Sequence, residues 1–222
     1  MIIIGIIDDN PEQRDSFKDA IELYLKKEKR DGVKVIDREP LERKEDYITW
    51  IAENEVSVLI IDEKLADVKI STGKSCGYEG HEMAEVLRKF DSTIPIHVVT
   101  SSRINDDLKD NLNLFENVLS RRDFLAKQEL WSEIFIRSGQ NYYKEREKLF
   151  ERISELSNLI VEGKATDSNI SELRGLQEFF QMPLYSEEMM KRGDLIEEFQ
   201  KNLLELKKIN EKAKLFLKNS NE

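Results

Sequence analysis

The chain has 222 residues, with 35 basic against 45 acidic side chains and a formal net charge of −10, a balance that opposes attraction to phosphate backbones and argues against nucleic acid as a partner. Its length suffices to bury a core without a disulfide or metal staple, and the single cysteine, Cys76, has no internal partner and suits a reducing, cytoplasmic setting. The apolar run at the amino terminus stops at Asp8 and Asp9, too short for a signal peptide or a spanning helix, so no membrane association is expected.

In chain order, short β-branched runs alternate with amphipathic stretches, the signature of repeated β-α units and a parallel sheet. Ile2 to Ile7 reads as a strand, and Pro11 to Lys29 as a helix with Phe17, Ile21, Tyr24 and Leu25 inward. A second strand, Val33 to Ile36, precedes a helix from about Leu41 to Ala52, where Tyr47, Ile48 and Ile51 recur at helical spacing. Val56 to Ile61 is apolar almost throughout, as a central parallel strand covered on both faces should be. His81 to Phe90 is the next helix, Ile94 to Val99 the fourth strand, Asn105 to Phe115 a helix and Asn117 to Ser120 a short fifth strand. His97 alternates with buried residues and is expected inside the sheet; His81 is expected to begin its helix.

Past Phe124 the strand-like runs vanish, and Gly163, Pro183 and Gly193 punctuate an otherwise helical pattern. Phe124 to Val161 reads as one long helix. The chain is therefore divided into an α/β domain over 1–125 and an all-helical segment over 126–222. Leu149, Ile153, Leu156 and Ile160 form one apolar stripe, and Ile196, Phe199, Leu203, Leu206, Asn210, Ala213 and Leu217 form a heptad-like seam. The seam fits packing within a bundle or pairing between copies, and homodimerisation through these helices is expected, with an unidentified protein partner as the other way to cover them. Residues 131–222 contain no histidine, which excludes a phosphotransfer bundle, and the segment Ser186 to Lys201 lacks the basic surplus of a DNA-reading helix. No nucleophile and base pair marks this segment as an enzyme.

Chemistry concentrates at strand ends. Asp8 and Asp9 close the first strand in Ile6-Ile7-Asp8-Asp9-Asn10-Pro11, and Asp62 closes the third in Val58-Leu59-Ile60-Ile61-Asp62, the edge on which an open α/β sheet binds its ligands. Carboxylates gathered there repel one another unless a hard cation neutralises them, and Mg2+ is the natural occupant. Helix capping explains an acid or Asn10 before Pro11, but not an aspartate at the mouth of the most buried strand. The fourth strand ends in Ile96-His97-Val98-Val99-Thr100-Ser101.

An acidic pair after strand one, an aspartate after strand three and a hydroxyl after strand four, in that order, resemble the response-regulator receiver family. The resemblance implies a flavodoxin-like doubly wound five-stranded parallel sheet. It implies Asp62 as acceptor of a phosphoryl group from a histidine kinase or small phosphodonor, with Mg2+ held by Asp8, Asp9 and Asp62. Thr100 would hydrogen-bond the phosphoryl oxygens. No enzymatic activity is implied beyond self-catalysed phosphorylation and dephosphorylation of the aspartate. The function expected on this basis is signalling in a phosphorelay, with a helical protein-interaction output; the alternative is a phosphorylation-independent scaffold.

The fifth strand departs from the family, which places a lysine after it, then proline, with an aromatic residue three positions before the lysine. In Glu116-Asn117-Val118-Leu119-Ser120-Arg121-Arg122-Asp123 those positions hold Arg121, Arg122 and Val118. A rival alignment on Asp123-Phe124-Leu125-Ala126-Lys127 restores aromatic and lysine but leaves the run Asn117 to Ser120 without a role. Without an aromatic at Val118, a weaker switch is expected. A second departure is the connection from Glu63 to Gly80, longer than the family's and containing Ser71-Thr72-Gly73-Lys74-Ser75-Cys76-Gly77. It lacks the leading glycine and strand of a phosphate-binding loop and reads as a flap beside the site. Lys64 lies within reach of a phosphoryl group or projects into solvent.

Overall fold

The computed structural model describes residues 1–66, 69–101 and 106–180. The elements are β1 (Ile2–Ile7), α1 (Pro11–Lys27), β2 (Val33–Arg38), α2 (Asp46–Glu53), β3 (Val58–Ile61), α3 (Gly80–Phe90), β4 (Ile96–Thr100), α4 (Asp106–Asp110), a 3-10 turn (Leu112–Leu114), β5 (Asn117–Ser120), α5 (Arg121–Ala126), α6 (Gln128–Val161) and α7 (Asp167–Phe179). The strands form one sheet in the order β2-β1-β3-β4-β5, every neighbouring pair parallel, which is the expected flavodoxin-like doubly wound arrangement.

Complete burial of β1 and β3 follows from helices on both sheet faces. On one face Ile4, Ile6, Val58, Ile60, Val99 and Leu119 pack with Phe17, Ile21, Phe124 and Phe135. On the other, Ile3, Ile7, Leu59, Ile61, Ile96 and Val98 meet Tyr47, Ile51, Met83 and Leu87. Helix α1 starts at the residue that the Asn10-Pro11 pair specifies: the Asn10 side chain accepts from Gln13 N, and proline occupies the first turn.

Three helices differ from their sequence expectation. Helix α2 starts at Asp46 rather than near Leu41, because tyrosines hold the preceding backbone: Leu41 N donates to Tyr47 Oη at 3.0 Å and Tyr78 Oη donates to Leu41 O at 2.6 Å. The stretch up to Phe115 divides into α4 and the 3-10 turn, whose last carbonyl, Leu114 O, accepts from Arg88 Nε at 2.9 Å. The long helix anticipated from Phe124 breaks at Lys127, whose backbone leaves the helical region (φ −138, ψ 40). The break has a geometric cause. Phe124 and Phe135 have ring centroids 6.2 Å apart, whereas eleven residues of straight helix would separate them by about 16 Å.

Two compact units result, Met1–Tyr143 and a second from Lys144 onward. The first part of α6 belongs to the sheet's core: Phe135 and Ile136 are buried in it, with Trp131 alongside. A Cβ added at Gly139 would stand 2.7 Å from Ile2 Cγ2 and 2.9 Å from Val58 Cγ2, so the glycine lets the helix lie directly on the sheet. Glu133 accepts from Tyr24 Oη and Arg30 Nη2, each at 2.9 Å.

In the second unit Ile153, Leu156 and Leu173 are buried with Phe150, Ile160, Leu176 and Phe180 around them, and Arg152 pairs with Glu172 through two contacts of 2.7 and 2.8 Å. Thr166 caps α7 after Gly163, whose positive φ of 69 closes α6. The seam from Ile196 to Leu217 and the segment Ser186 to Lys201 lie outside the described residues. Among the described residues no helix is long and apolar enough to cross a membrane.

His97 sits where β4, β5 and α6 meet, fully buried, its Nδ1 accepting from Asn117 Nδ2 at 3.1 Å and its ring 4.8 Å from that of Phe135. Burial, with a smaller push from Arg88, lowers its pKa from 6.5 to about 3. Because the folded value lies below the unfolded one, the neutral ring's contribution is complete above pH 6.5 and is lost as pH falls toward about 3. Urea denaturation across that range should show His97→Leu losing stability less steeply than wild type, by up to about 1.4 kcal/mol per pH unit. Phe135→Ala should cost about 3–5 kcal/mol in the same assay, as for a large core truncation; a change below 1 kcal/mol, by about the scale of surface substitutions, would show that α6 is not part of the sheet's core.

Candidate functional site

Parallel pairing of β1 with β3 puts Ile7 opposite Ile61, so the residues that follow each strand emerge side by side. Carboxylate oxygens of Asp8, Asp9 and Asp62 all lie within 4.8 Å of one another. Asp8 and Asp62 are only 2% and 5% exposed. Asp8 Oδ1 accepts the backbone N–H of Asn10 at 2.8 Å, and Arg14 Nη1 donates to the Asp8 carbonyl at 2.6 Å.

The principal cation is Arg121, the residue after β5. Its Nη2 lies 2.6 Å from Asp8 Oδ2 and 2.5 Å from Asp62 Oδ2, and its guanidinium rests 5.8 Å from the Phe17 ring centroid. Lys127, by contrast, is exposed at the end of α5. Phe124 is buried edge-on against Phe17 at 4.8 Å, and Val118 packs in the core of the opposite face. Of the two alignments of this region, the geometry brings Arg121 to the carboxylates and leaves Lys127 away from them. Thr100 ends β4, buried, opposite Ser120 in register.

Burial dominates the electrostatics. It pushes the Asp8 carboxyl up to about 7, against the pull of Arg121 and of the Asn10 N–H. It also pushes Asp62 up, against Arg121 and the nearby Thr100 hydroxyl. Among the described residues Asp62 Oδ1 is buried without a hydrogen-bond partner. An all-oxygen donor set with one unsatisfied buried oxygen fits a hard divalent cation such as Mg2+.

The connection between Asp62 and α3 closes on itself beside the site. Gly80 N donates to Glu63 O at 2.8 Å, and the buried Glu63 side chain takes His81 N at 3.1 Å and His81 Nδ1 at 2.6 Å. Lys64 pairs with Glu79 at 2.9 Å. Sequence reasoning missed the Glu63–His81 pair, which no local spacing signals because 17 residues of connection intervene, and it missed Arg14. Leu65, Ile70, Cys76 and Tyr78 form the connection's own buried side. The Cys76 thiol donates to Leu65 O at 3.1 Å, and burial raises its pKa, away from a reactive thiolate. The turn around Gly73 is tied to residues before α2 by Ser71 to Glu39 and Lys74 to Glu42 contacts.

Glycine is required where the connection returns. A Cβ at Gly80 would lie 2.4 Å from the Asp62 carbonyl oxygen and 3.0 Å from Glu63 Cα, both main-chain atoms that cannot swing aside. Gly80→Ala should therefore destabilise the fold by about 2 kcal/mol or more, as overpacking against backbone does, and urea denaturation measures it directly; an unchanged midpoint would mean that α3 does not abut the Asp62 backbone in solution.

No family model and no curated protein matches the sequence. Among solved structures, a response regulator receiver domain protein (CheY-like) from Methanospirillum hungatei JF-1 is similar at 20% identity and a TM-score of 0.43, over 62% of this chain and 98% of its own. A response regulator receiver domain protein from Clostridium thermocellum is similar at 16% identity and a TM-score of 0.43, over 67% and 99%. A structure described as adenylate cyclase from Rhodopirellula baltica is similar at 14% identity and a TM-score of 0.49, over 66% and 96%. The fold rests on the chain's own topology: by its strand order and parallel register the first unit has the flavodoxin-like α/β fold that response-regulator receivers share.

Proposed function

We propose that the chain is a response-regulator-like signalling protein of a phosphorelay, in which Asp62 takes a phosphoryl group from a histidine kinase or a small phosphodonor in a Mg2+-dependent way. The observation that carries this reading is the convergence of Asp8, Asp9 and Asp62 within 4.8 Å at the strand ends, with one Asp62 oxygen unsatisfied among the described residues. An ionised Asp62 oxygen attacks phosphorus, and the bond from phosphorus to the donor's nitrogen or oxygen breaks, its electron pair leaving with the donor. Arg121 and Thr100 would pair with the phosphoryl oxygens, so catalysis amounts to positioning and charge neutralisation. Asp8, Asp9 and Asp62 would hold Mg2+, which supplies further neutralisation of those oxygens. The helical segment serves as the output, a protein-interaction module that self-associates through its C-terminal helices. The protein works in the cytoplasm and acts on no separate substrate.

A second reading, a scaffold never phosphorylated at Asp62, is favoured by one observation: Arg121 already engages Oδ2 of both Asp8 and Asp62. Incubation with Mg2+ and acetyl phosphate followed by intact-mass measurement separates the two. Wild type should gain one phosphoryl mass, and Asp62→Asn and Asp9→Asn should not. An unmodified wild-type mass, under conditions that label an ordinary receiver, would leave the scaffold reading.

A further inference from the structure

In this chain a guanidinium nitrogen stands between carboxylates that follow two neighbouring strands. Arg121 Nη2 lies 2.6 Å from Asp8 Oδ2 and 2.5 Å from Asp62 Oδ2, with side-chain exposures of 13%, 2% and 5%. A nitrogen at bonding distance from one oxygen of each carboxylate fills the space between them. The remaining oxygens of the two carboxylates are not equivalent to these. Asp8 Oδ1 accepts the Asn10 N–H at 2.8 Å, and Asn10 in turn caps α1, so freeing that oxygen disturbs a helix start. Among the described residues Asp62 Oδ1 is buried without a hydrogen-bond partner. The guanidinium is also supported from below, since Phe17 lies under it and is itself held edge-on by Phe124 at 4.8 Å. Arginine's planar fork occupies more of this space than a lysine ammonium would.

We infer that Arg121 is the resident counter-ion of the carboxylate cluster and sets its affinity for divalent cations, a metal ion joining Asp8 and Asp62 only as the guanidinium withdraws from their Oδ2 atoms. This deepens the reading of Asp8, Asp9 and Asp62 as a metal site and rests on it. The ion and Arg121 compete for the same two oxygens, so wild type folds without a divalent cation and binds one weakly. Removing the guanidinium leaves buried carboxylates uncompensated, and the fold then depends on an added ion to neutralise them.

The test is titration of Mg2+, and of Mn2+ with water-proton relaxation as readout, into the full chain carrying Arg121, Arg121→Lys or Arg121→Gln, with thermal denaturation in parallel. Affinity should rise from wild type through Arg121→Lys to Arg121→Gln, by about tenfold or more between the ends, in line with the cost of leaving a buried charge unpaired. Chelator should leave the wild-type Tm unchanged, Mg2+ should raise that of Arg121→Gln, and adding Asp9→Asn to Arg121→Gln should abolish its Mn2+ binding. If Arg121→Gln does not fold, Arg121→Lys decides, because it keeps the charge and should still bind Mn2+ more tightly than wild type. Equal affinity in wild type and variants overturns the inference while leaving the metal site intact. Failure of every form to bind at millimolar Mn2+ removes the metal site, and the inference with it.

Discussion

Two buried carboxylates sharing one guanidinium set the terms for the first unit. Moving like charges out of water side by side is costly, and for Asp8 and Asp62 burial outweighs the attraction of Arg121. Such an arrangement survives only where the main chain leaves the groups nowhere else to go. Adjacent β1 and β3 deliver the two aspartates together, whereas Arg121 follows β5, separated from β3 by the whole of β4. Spanning two interstrand steps of about 4.8 Å each needs a long side chain, and arginine combines that reach with a fork able to meet oxygens from different strands. The Phe17 ring beneath it belongs to α1, whose own start is fixed by the turn after Asp9. Sheet order, helix capping and core packing therefore converge on one nitrogen.

The long connection after Asp62 leaves that arrangement undisturbed because its ends are clamped together. Loop-closure entropy rises only slowly with length, so an excursion of this size is tolerated if its entry and exit are fixed. Glu63 does the fixing: its carbonyl takes Gly80 N, and its side chain takes the backbone and the ring of His81. Absence of a side chain at Gly80 lets α3 begin against the Asp62 carbonyl. The excursion also shapes structure elsewhere, since Tyr78 bonds to Leu41 O and Tyr47 and so helps determine where α2 begins.

Much of this fold could be read from the order of residues, for identifiable reasons. Strands such as Ile2–Ile7 and Val58–Ile61 are apolar without interruption, and carboxylates directly after them mark the ligand edge of a parallel sheet. Helix limits were less legible where long-range contacts decide them. Leu41 carries a helical pattern that Tyr47 and the distant Tyr78 override, and the break at Lys127 follows from seating Phe124 and Phe135 in one core. Choosing between Arg121 and Lys127 depended on where α5 begins, which Ser120 decides by capping Asp123 N. That cap is a common local signal, strong only once β5 is known to end there.

Strand β5 is only four residues long, from Asn117 to Ser120, yet it connects contacts of different kinds. At its end stands Arg121, paired with the carboxylates. At its start Asn117 donates to His97, on whose ring Phe135 of α6 lies. The strand is paired with β4 along its whole length, and these contacts do not respond to every change alike. Rotation of the Arg121 side chain about its own bonds, with the main chain fixed, would end at the carboxylates. Displacement of β5 along its axis would move Asn117 against His97 and alter the imidazole's packing under Phe135. A second line of contact joins the acidic site to the first part of α6, from Arg121 over Phe17 to Phe124 and Phe135, and along either line coupling requires an element with two arrangements and not mere proximity. The size of the side chain at Val118, in the middle of this strand and half-buried on the α2–α3 face, then matters for how far β5 can shift, whether or not that side chain swings.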